Sequence, residues 1–209
     1  MKTKKLVVSA ILIALATVLS VLQPFQLPFG GGITIASMMP IVIIAYVYGT
    51  KQGLFAGLVY AVLQMLLGAK TVGSFFMPGE SQMVLWQALC VCFLDYIVAY
   101  SVLGFGGVFK KCIKNEFLGV CLGAIFTLTL RYVVHIISGA VFFGAWAEWF
   151  FTQDGFYAIG STIMQNFSGT GLAVIYSVFY NGLYMLPEIV ITAFVTPIVY
   201  FAIKRAKLI

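Results

Sequence analysis

The amino-acid sequence predicts an all-α integral membrane protein with six transmembrane helices and both termini in the cytoplasm. Three observations predict this class. First, 62% of the residues are hydrophobic and only 9% are charged, whereas a soluble domain has about 25% charged residues. Second, the apolar runs are continuous and do not alternate with polar residues, which disfavours a membrane β-barrel. Third, lysine and arginine lie beside the ends of these runs, where they set the orientation of a membrane protein.

The apolar runs indicate one membrane domain that comprises residues 1–209. The predicted spans cover about residues 6–22, 33–48, 53–67, 83–105, 117–143 and 171–203. The first run is longer than the apolar region of a signal peptide, which has about 7–15 residues, and no A-x-A cleavage site follows it. We therefore interpret this run as the first span.

The segments between the spans have the composition of turns and of membrane boundaries. The first span ends at Gln23-Pro24, because proline cannot continue the helical hydrogen bonding, and a proline- and glycine-rich loop follows at 23–32. A connection at 144–170 contains aromatic residues that suit the membrane–water boundary. The last span is long enough to require either a tilt or a break near Pro187.

The distribution of positive charge predicts the orientation. With six spans, one side of the membrane receives ten lysines and arginines and the other side receives Lys70, while Arg131 lies within a span. Cytoplasmic loops carry the excess of lysine and arginine, so both termini are expected in the cytoplasm. The net charge of +6 is thereby explained by membrane topology, and it predicts a lipid bilayer and not nucleic acid as the partner. The ten residues are Lys2, Lys4, Lys5, Lys51, Lys110, Lys111, Lys114, Lys204, Arg205 and Lys207.

Ionisable residues within the spans are the candidate functional groups. Asp95 lies in the middle of the fourth predicted span, and Arg131 and His135 share a face of the fifth because they are four residues apart. Charged groups are costly in lipid, so they normally face each other or an internal cavity. Two interpretations remain open at this point: an internal ion pair that joins the two helices, or a polar lining in which Asp95 binds a cationic ligand.

The last span has a second set of polar residues. Tyr180, Tyr184 and Glu188 follow each other at intervals of four residues and share one stripe, and Asn181 neighbours Tyr184. Tyr176 and Asn181 are five residues apart, so a regular helix rotates them about 140° from each other. Both can face one ligand only if the helix starts or bends between them, or if the ligand lies at its end. Anchoring at the membrane boundary is the alternative role of these tyrosines.

The motifs of catalysis and of metal binding are absent from the sequence. A single histidine excludes the two-histidine zinc motifs, and neither a Walker A motif nor a G-x-S-x-G motif occurs. The cysteines lack metal-site spacing, and we interpret them as small apolar residues. The sequence therefore predicts a protein that is not an enzyme, holds no metal and needs no cofactor. The cysteines are Cys90, Cys92, Cys112 and Cys121.

Three sequence blocks carry a family resemblance. The segments Leu94–Gly104, Arg131–Gly144 and Ile175–Pro187 together resemble the thiamine-specific substrate-binding (S) component of energy-coupling-factor (ECF) transporters, and so do Gly30–Pro40 and Tyr48–Leu54. The resemblance implies a multi-pass protein of the bacterial cell membrane that binds thiamine (vitamin B1) with high affinity near its extracellular face. It also implies partners for uptake, namely a membrane coupling subunit and two cytoplasmic ATPases.

The resemblance also implies roles for individual residues. Asp95 stands at the position of an acidic ligand-binding residue. Phe143 stands where some members have tryptophan, and Gly31 stands in the first loop, where some members also have tryptophan. Ala10 and Ala14 form a small-xxx-small pair that matches the surface facing the coupling subunit, although packing within the chain is an alternative for such a pair. The further matching pocket positions are Tyr96, His135, Tyr176 and Asn181.

The chemistry of thiamine agrees with these residues. Its thiazolium ring is permanently cationic and its second ring is an aminopyrimidine, so Asp95 can supply a counter-charge or accept from the amino group. Aromatic side chains can stack on the cation, a contact worth about 0.5–2 kcal/mol. Two other functions remain open: an S component for another vitamin or a thiamine precursor, and a self-sufficient proton-coupled carrier. The carrier would use as its relay Asp95, Arg131, His135 and Glu188.

Overall fold

The computed structural model describes residues 2–27 and 30–209. The predicted loop at 23–32 therefore includes two residues, 28 and 29, that lie outside the described residues. Among the described residues, the regular secondary structure is helical apart from one short antiparallel hairpin, in which Phe25 pairs with Ile33. The elements are α1 (Lys2–Val21), β1 (Phe25–Gln26), β2 (Gly32–Ile33), α2 (Met39–Tyr48), α3 (Thr50–Leu67), α4 (Ala69–Ser74), α5 (Leu85–Cys92), a π-helical segment (Phe93–Val98), α6 (Ala99–Ser101), a 3-10 segment (Val102–Lys110), α7 (Glu116–Phe142), a 3-10 turn (Gly144–Trp146), α8 (Ala147–Phe151), α9 (Tyr157–Asn166) and α10 (Gly169–Arg205).

Within the described residues, five helices are long and apolar enough to cross a membrane. Each overlaps one of the predicted spans, and the boundaries differ by a few residues; the third of them, for example, continues to Lys110 through its π-helical and 3-10 segments. The protein is therefore an all-α membrane protein. The five helices are Thr3–Val21, Thr50–Leu67, Leu85–Lys110, Glu116–Phe142 and Gly169–Arg205.

The predicted second span, 33–48, is helical only in its second part. The helix α2 begins only at Met39, because the preceding residues form strand β2 and a turn in which Ala36 has a φ of 54°. Pro40 lies in the first helical turn, where its missing N–H costs nothing. All eight residues from Met39 to Tyr46 are buried, and ten residues give only about 15 Å of helix. The helix α2 is therefore a short central element surrounded by the longer helices.

The last helix, α10, runs without a break through Pro187 and Pro197. The predicted break near Pro187 is therefore absent, and the alternative of tilt remains. The 37 residues of this helix correspond to about 55 Å at 1.5 Å per residue, which exceeds the roughly 30 Å hydrocarbon core of a bilayer.

Glycines allow the helices to approach closely at the end of the bundle that carries the basic loops. A Cβ atom added to Gly123 of α7 would lie 2.1 Å from the carbonyl oxygen of Gly106. A Cβ atom on Gly104 would lie 2.3 Å from the backbone nitrogen of Leu54, and one on Gly53 would meet Gly104 in turn. Side chains of any size would separate these backbones, so the contacts depend on glycine.

The first and last segments of the chain lie at the same end of the bundle. The Lys4 ammonium group donates a hydrogen bond to the carbonyl oxygen of Lys207 over 3.3 Å. Lys204 forms an ion pair with Glu116 at the start of α7. Lys110 donates to the carbonyl oxygen of Val47 over 3.2 Å. The basic residues of three different segments therefore gather on one side of the molecule.

Candidate ligand-binding site

Asp95 lies in the π-helical segment of the third long helix, a conformation that is frequent at functional sites. One carboxylate oxygen lies 2.9 Å from Nδ1 of His135, and the other accepts a hydrogen bond of 2.8 Å from the Ser138 hydroxyl. The Asp95 side chain keeps 21% of its surface exposed. A carboxylate has about four acceptor positions, so this group uses two of them and can accept hydrogen bonds from further donors.

The residues around His135 extend this network into the core. Its second ring nitrogen, Nε2, accepts a hydrogen bond of 3.1 Å from Nε of Arg131. The Arg131 guanidinium group lies 4.1 Å from the centre of the Tyr100 ring and also donates to the sulfur of Met38. Among the described residues, His135 is thus the basic side chain that contacts the Asp95 carboxylate directly, while Arg131 reaches it only through the imidazole ring.

Asn181 joins the network from α10. Its amide nitrogen donates to the carbonyl oxygens of Ser177, over 2.9 Å, and His135, over 3.3 Å. Its amide oxygen accepts a hydrogen bond of 2.7 Å from the Tyr184 hydroxyl. Gly139 of α7 allows α10 to approach this closely, because a Cβ atom on Gly139 would lie 2.3 Å from the Ser177 hydroxyl oxygen. The structure therefore brings Asp95, His135 and Asn181 together in one network.

Tyr176 lies in a neighbouring aromatic cluster. Its ring centre is 5.4 Å from that of Phe150 in α8 and 5.6 Å from that of Tyr180. Because α10 is continuous, Tyr176 is rotated away from Asn181, as the five-residue spacing predicts. Phe143 packs against the same cluster and also contacts Phe75 edge-on, with ring centres 6.1 Å apart. The predicted site residues thus form two adjoining parts: a polar network around Asp95 and an aromatic cluster around Tyr176.

Tyr96 extends toward the end of α3. A Cβ atom on Gly68, which follows α3, would lie 3.0 Å from the Tyr96 hydroxyl oxygen. Tyr96 therefore borders the site on the side of α3, next to Asp95.

The second half of the first loop lies on α10 beside the polar network. The Tyr180 hydroxyl donates to the carbonyl oxygen of Gly30 over 3.0 Å. A Cβ atom on Gly31 would lie 2.6 Å from the Tyr184 ring, and its φ of 85° favours glycine. A larger side chain at this position would therefore require a different loop conformation.

Two groups of polar contacts were not predicted from the sequence. Ser138 binds Asp95, and its position three residues after His135 on the same helix face is a signal that could have identified it. The backbone N–H and the hydroxyl of Thr34 both donate to Glu188, which is 1% exposed. These two residues are 154 positions apart, and no local pattern connects them.

The predicted docking residues lie on a different surface. Ala10 and Ala14 are exposed and line a groove of about 360 Å³ between α1 and α3. Most of the remaining wall is apolar, including Ile13, Phe55 and Leu63. Ala10 and Ala14 therefore border an open groove.

A family model described as "Thiamine transporter protein (Thia_YuaJ)" matches residues 6–150 of this chain. The chain belongs to this thiamine transporter family. The family resemblance expected from the sequence blocks is thus confirmed, and the protein is a transporter of the bacterial plasma membrane with several spans and not an enzyme.

Individual members of the thiamine transporter family are similar over different lengths. The thiamine transporter ThiT of Bacillus subtilis is 30% identical over 96% of this chain and 92% of its own length. ThiT of Lacticaseibacillus paracasei is 25% identical over 53% of this chain and 54% of its own length. A solved structure of ThiT from Listeria monocytogenes has a TM-score of 0.66 at 24% identity, and the match covers 99% of this chain and 97% of that chain. This last comparison shows that the fold is shared.

Proposed function

We propose that this member of the thiamine transporter family binds thiamine at the polar network and acts as the S component of an ECF-type vitamin transporter. The observation that carries the proposal is the partly exposed carboxylate of Asp95, which is oriented by His135 and Ser138 and has no lysine or arginine within 4.0 Å among the described residues. A cationic ligand supplies the missing counter-charge.

The two parts of the site suit the two ends of thiamine. Asp95 offers its free acceptor positions to a cation or to an amino group, and Phe143 and Tyr176 offer aromatic faces and edges. Phe143 follows His135 by eight positions, directly after the end of α7, and this spacing corresponds to about 12 Å of helix axis. An elongated ligand with two rings can therefore contact both parts.

The proposed orientation has six crossings and cytoplasmic termini. The short α2, together with the strand and turn before it, supplies the second crossing, because α1 and α3 are both long enough to span the bilayer. The gathering of Lys4, Lys110 and Lys204 at one end of the bundle supports a cytoplasmic position for that end. The Asp95 site then lies toward the extracellular side.

The proposed partners are a membrane coupling subunit and two cytoplasmic ATPases. The chain has no Walker A motif, so ATP-driven uptake requires separate ATPases. The groove beside Ala10 and Ala14 supports a docking role, since exposed small residues allow another helix to approach closely.

A calorimetric titration of the purified protein with thiamine tests the binding proposal. We expect tight binding with one thiamine per chain. Hydroxymethylpyrimidine and riboflavin serve as competitors. Tighter binding of either compound would identify it, and not thiamine, as the ligand. Absence of heat from a folded sample, as judged by cooperative thermal unfolding, would reject the binding proposal.

Reconstitution tests the partner proposal separately. Proteoliposomes that contain this chain alone, with a pH gradient across the membrane, are expected to show no concentrative thiamine uptake. Accumulation under these conditions would instead show the self-sufficient proton-coupled carrier.

A further inference from the structure

Arg131 is a buried cation whose hydrogen bonds lead toward the candidate site and not to a carboxylate. Only 8% of the surface of Arg131 is exposed. Within 4.0 Å, the described residues place an acidic side chain against a basic one in two places, Asp95 against His135 and Glu116 against Lys204, and neither contact includes Arg131. Its contacts are instead the Tyr100 ring, the Met38 sulfur and Nε2 of His135. A buried arginine with this arrangement needs an explanation, because a charge in the membrane interior is costly.

The contact with His135 determines which imidazole nitrogen carries the proton. Arginine remains protonated in proteins and can only donate hydrogen bonds. Nε2 of His135 must therefore accept from Arg131 through its lone pair, and it carries no proton. The proton of the neutral ring is then on Nδ1, which lies 2.9 Å from Oδ1 of Asp95 and donates to it. The chain of hydrogen bonds thus runs in one direction, from Arg131 through His135 to Asp95.

We propose that Arg131 is a positioning residue for the cationic ligand, because it holds His135 in the neutral Nδ1–H tautomer and thereby preserves the negative charge of Asp95. This inference rests on the proposed function and extends it. A neutral imidazole donates a hydrogen bond to the carboxylate but does not cancel its charge. With Nε2 released, the ring can take up a second proton. The resulting imidazolium would be a counter-ion of Asp95 in competition with the ligand.

The other charged and titratable groups around Arg131, His135 and Asp95 do not take over the hydrogen bond from Arg131 to His135. His135 is faced by Tyr184 from α10, with ring centres 6.0 Å apart, and by Asp95 from the π-helical segment. In the described part of the chain, the hydrogen bond to Nε2 comes from Arg131. The groups that face Arg131 itself are Tyr60, Tyr100, Tyr184 and Glu188, and those beside Asp95 include Cys92 and Tyr96.

The single histidine of the chain allows a direct test on the unaltered protein. Labelling with ¹⁵N-histidine, in a preparation purified without a histidine tag, gives the spectrum of His135 alone. We expect the shifts of a neutral ring with the proton on Nδ1 at pH 7. The Nε2–H tautomer or an imidazolium ring would overturn the proposal. Because this measurement needs no thiamine, it is independent of whether the proposed function holds.

Substitutions test the consequence for binding. Arg131→Met removes the donor and the charge at similar length, and Arg131→Lys keeps both. For the Met variant we expect thiamine affinity to fall about tenfold for each pH unit in the range where the imidazole gains its second proton. We expect calorimetry in buffers of different ionisation enthalpy to detect up to one proton released per thiamine bound. The wild type should show neither effect, and Arg131→Lys should restore most of the wild-type profile.

The double variant Arg131→Met/His135→Gln separates positioning from a merely structural role. It lacks the group that would be protonated, so its affinity should no longer depend on pH, even if it is lower than that of the wild type. An Arg131→Met variant that binds thiamine with the wild-type affinity and pH profile would overturn the proposal. If the Met variant does not fold, the histidine spectrum and the Lys variant still decide.

Discussion

The helices of this protein contact each other in two different ways at the two ends of the bundle. At the end with the basic loops, backbones touch directly at glycines, as between Gly106 and Gly123. Toward the other end, polar side chains reach from one helix to another, as between His135 and Asp95 or from the Asn181 amide nitrogen to the carbonyl oxygen of His135. The first kind of contact leaves no space between the helices, whereas the second places hydrogen-bonding groups where a ligand can reach them.

This difference indicates that the two ends of one small domain have different functions. Contacts between glycine backbones in a membrane depend on close packing and lose their energy when the distance increases. Hydrogen bonds between side chains can be exchanged for hydrogen bonds to a ligand at little net cost. The glycine end is therefore suited to fix the arrangement of the helices, and the polar end is suited to bind and release a guest. Substitutions at each end should affect different measurements.

The largest effect is expected from Asp95→Asn at the polar end. The variant keeps the shape of the side chain and removes its charge. Loss of a buried charge partner costs about 2–5 kcal/mol, so the dissociation constant for thiamine should rise at least thirtyfold, as measured by calorimetry. The matched control is Asp154→Asn in the exposed connection, which should bind as the wild type does. Equal thiamine affinities of the two variants would show that Asp95 does not take part in binding.

Gly123→Ala should act on stability at the glycine end. The added methyl group would lie 2.1 Å from the Gly106 carbonyl oxygen, so α7 must move away. Overpacking of this kind costs about 1–3 kcal/mol and should lower the thermal unfolding temperature in detergent. Gly73→Ala is the control, because a Cβ atom there meets no atom within 4 Å. If both variants unfold at the wild-type temperature, the close backbone contact is not important for stability.

Thr34→Val should produce a smaller effect on the first loop. The substitution removes one of the two hydrogen bonds from Thr34 to Glu188, which hold the end of this loop against α10. A buried hydrogen bond contributes about 1 kcal/mol, so thiamine should dissociate several times faster in stopped-flow fluorescence. Thr162→Val changes an exposed threonine and should not alter the rate. A dissociation rate that is equal in both variants would show that this anchor does not control the loop.

The smallest effect is expected from Glu116→Gln at the surface of the basic end. Glu116 and Lys204 form an ion pair whose side chains are 46% and 45% exposed. Exposed pairs of this type contribute little to stability. The unfolding temperature and the thiamine affinity should both remain those of the wild type. A clear decrease in the unfolding temperature would show that charge pairing, in addition to glycine packing, holds this end together.

The sequence by itself determined the class of the protein and which residues of one helix share a face. A chain with 62% hydrophobic residues in continuous runs can only be stable in a bilayer. Within such runs, helical periodicity dictates that Arg131 and His135 share a face and that Tyr176 and Asn181 do not. Both expectations agree with the structure, because they depend on the geometry of one helix.

Only the tertiary structure decided which faces meet and how long each helix is. The bond from His135 to Asp95 joins residues 40 positions apart, and that from Thr34 to Glu188 joins residues 154 positions apart. Such pairings depend on the packing of several helices, on which local periodicity carries no information. The helix α2 is shorter than its apolar run predicts because strand β2 and a turn occupy the first residues of that run. The hydrophobicity of a segment determines whether it lies in the membrane, whereas its contacts with neighbouring helices determine its conformation.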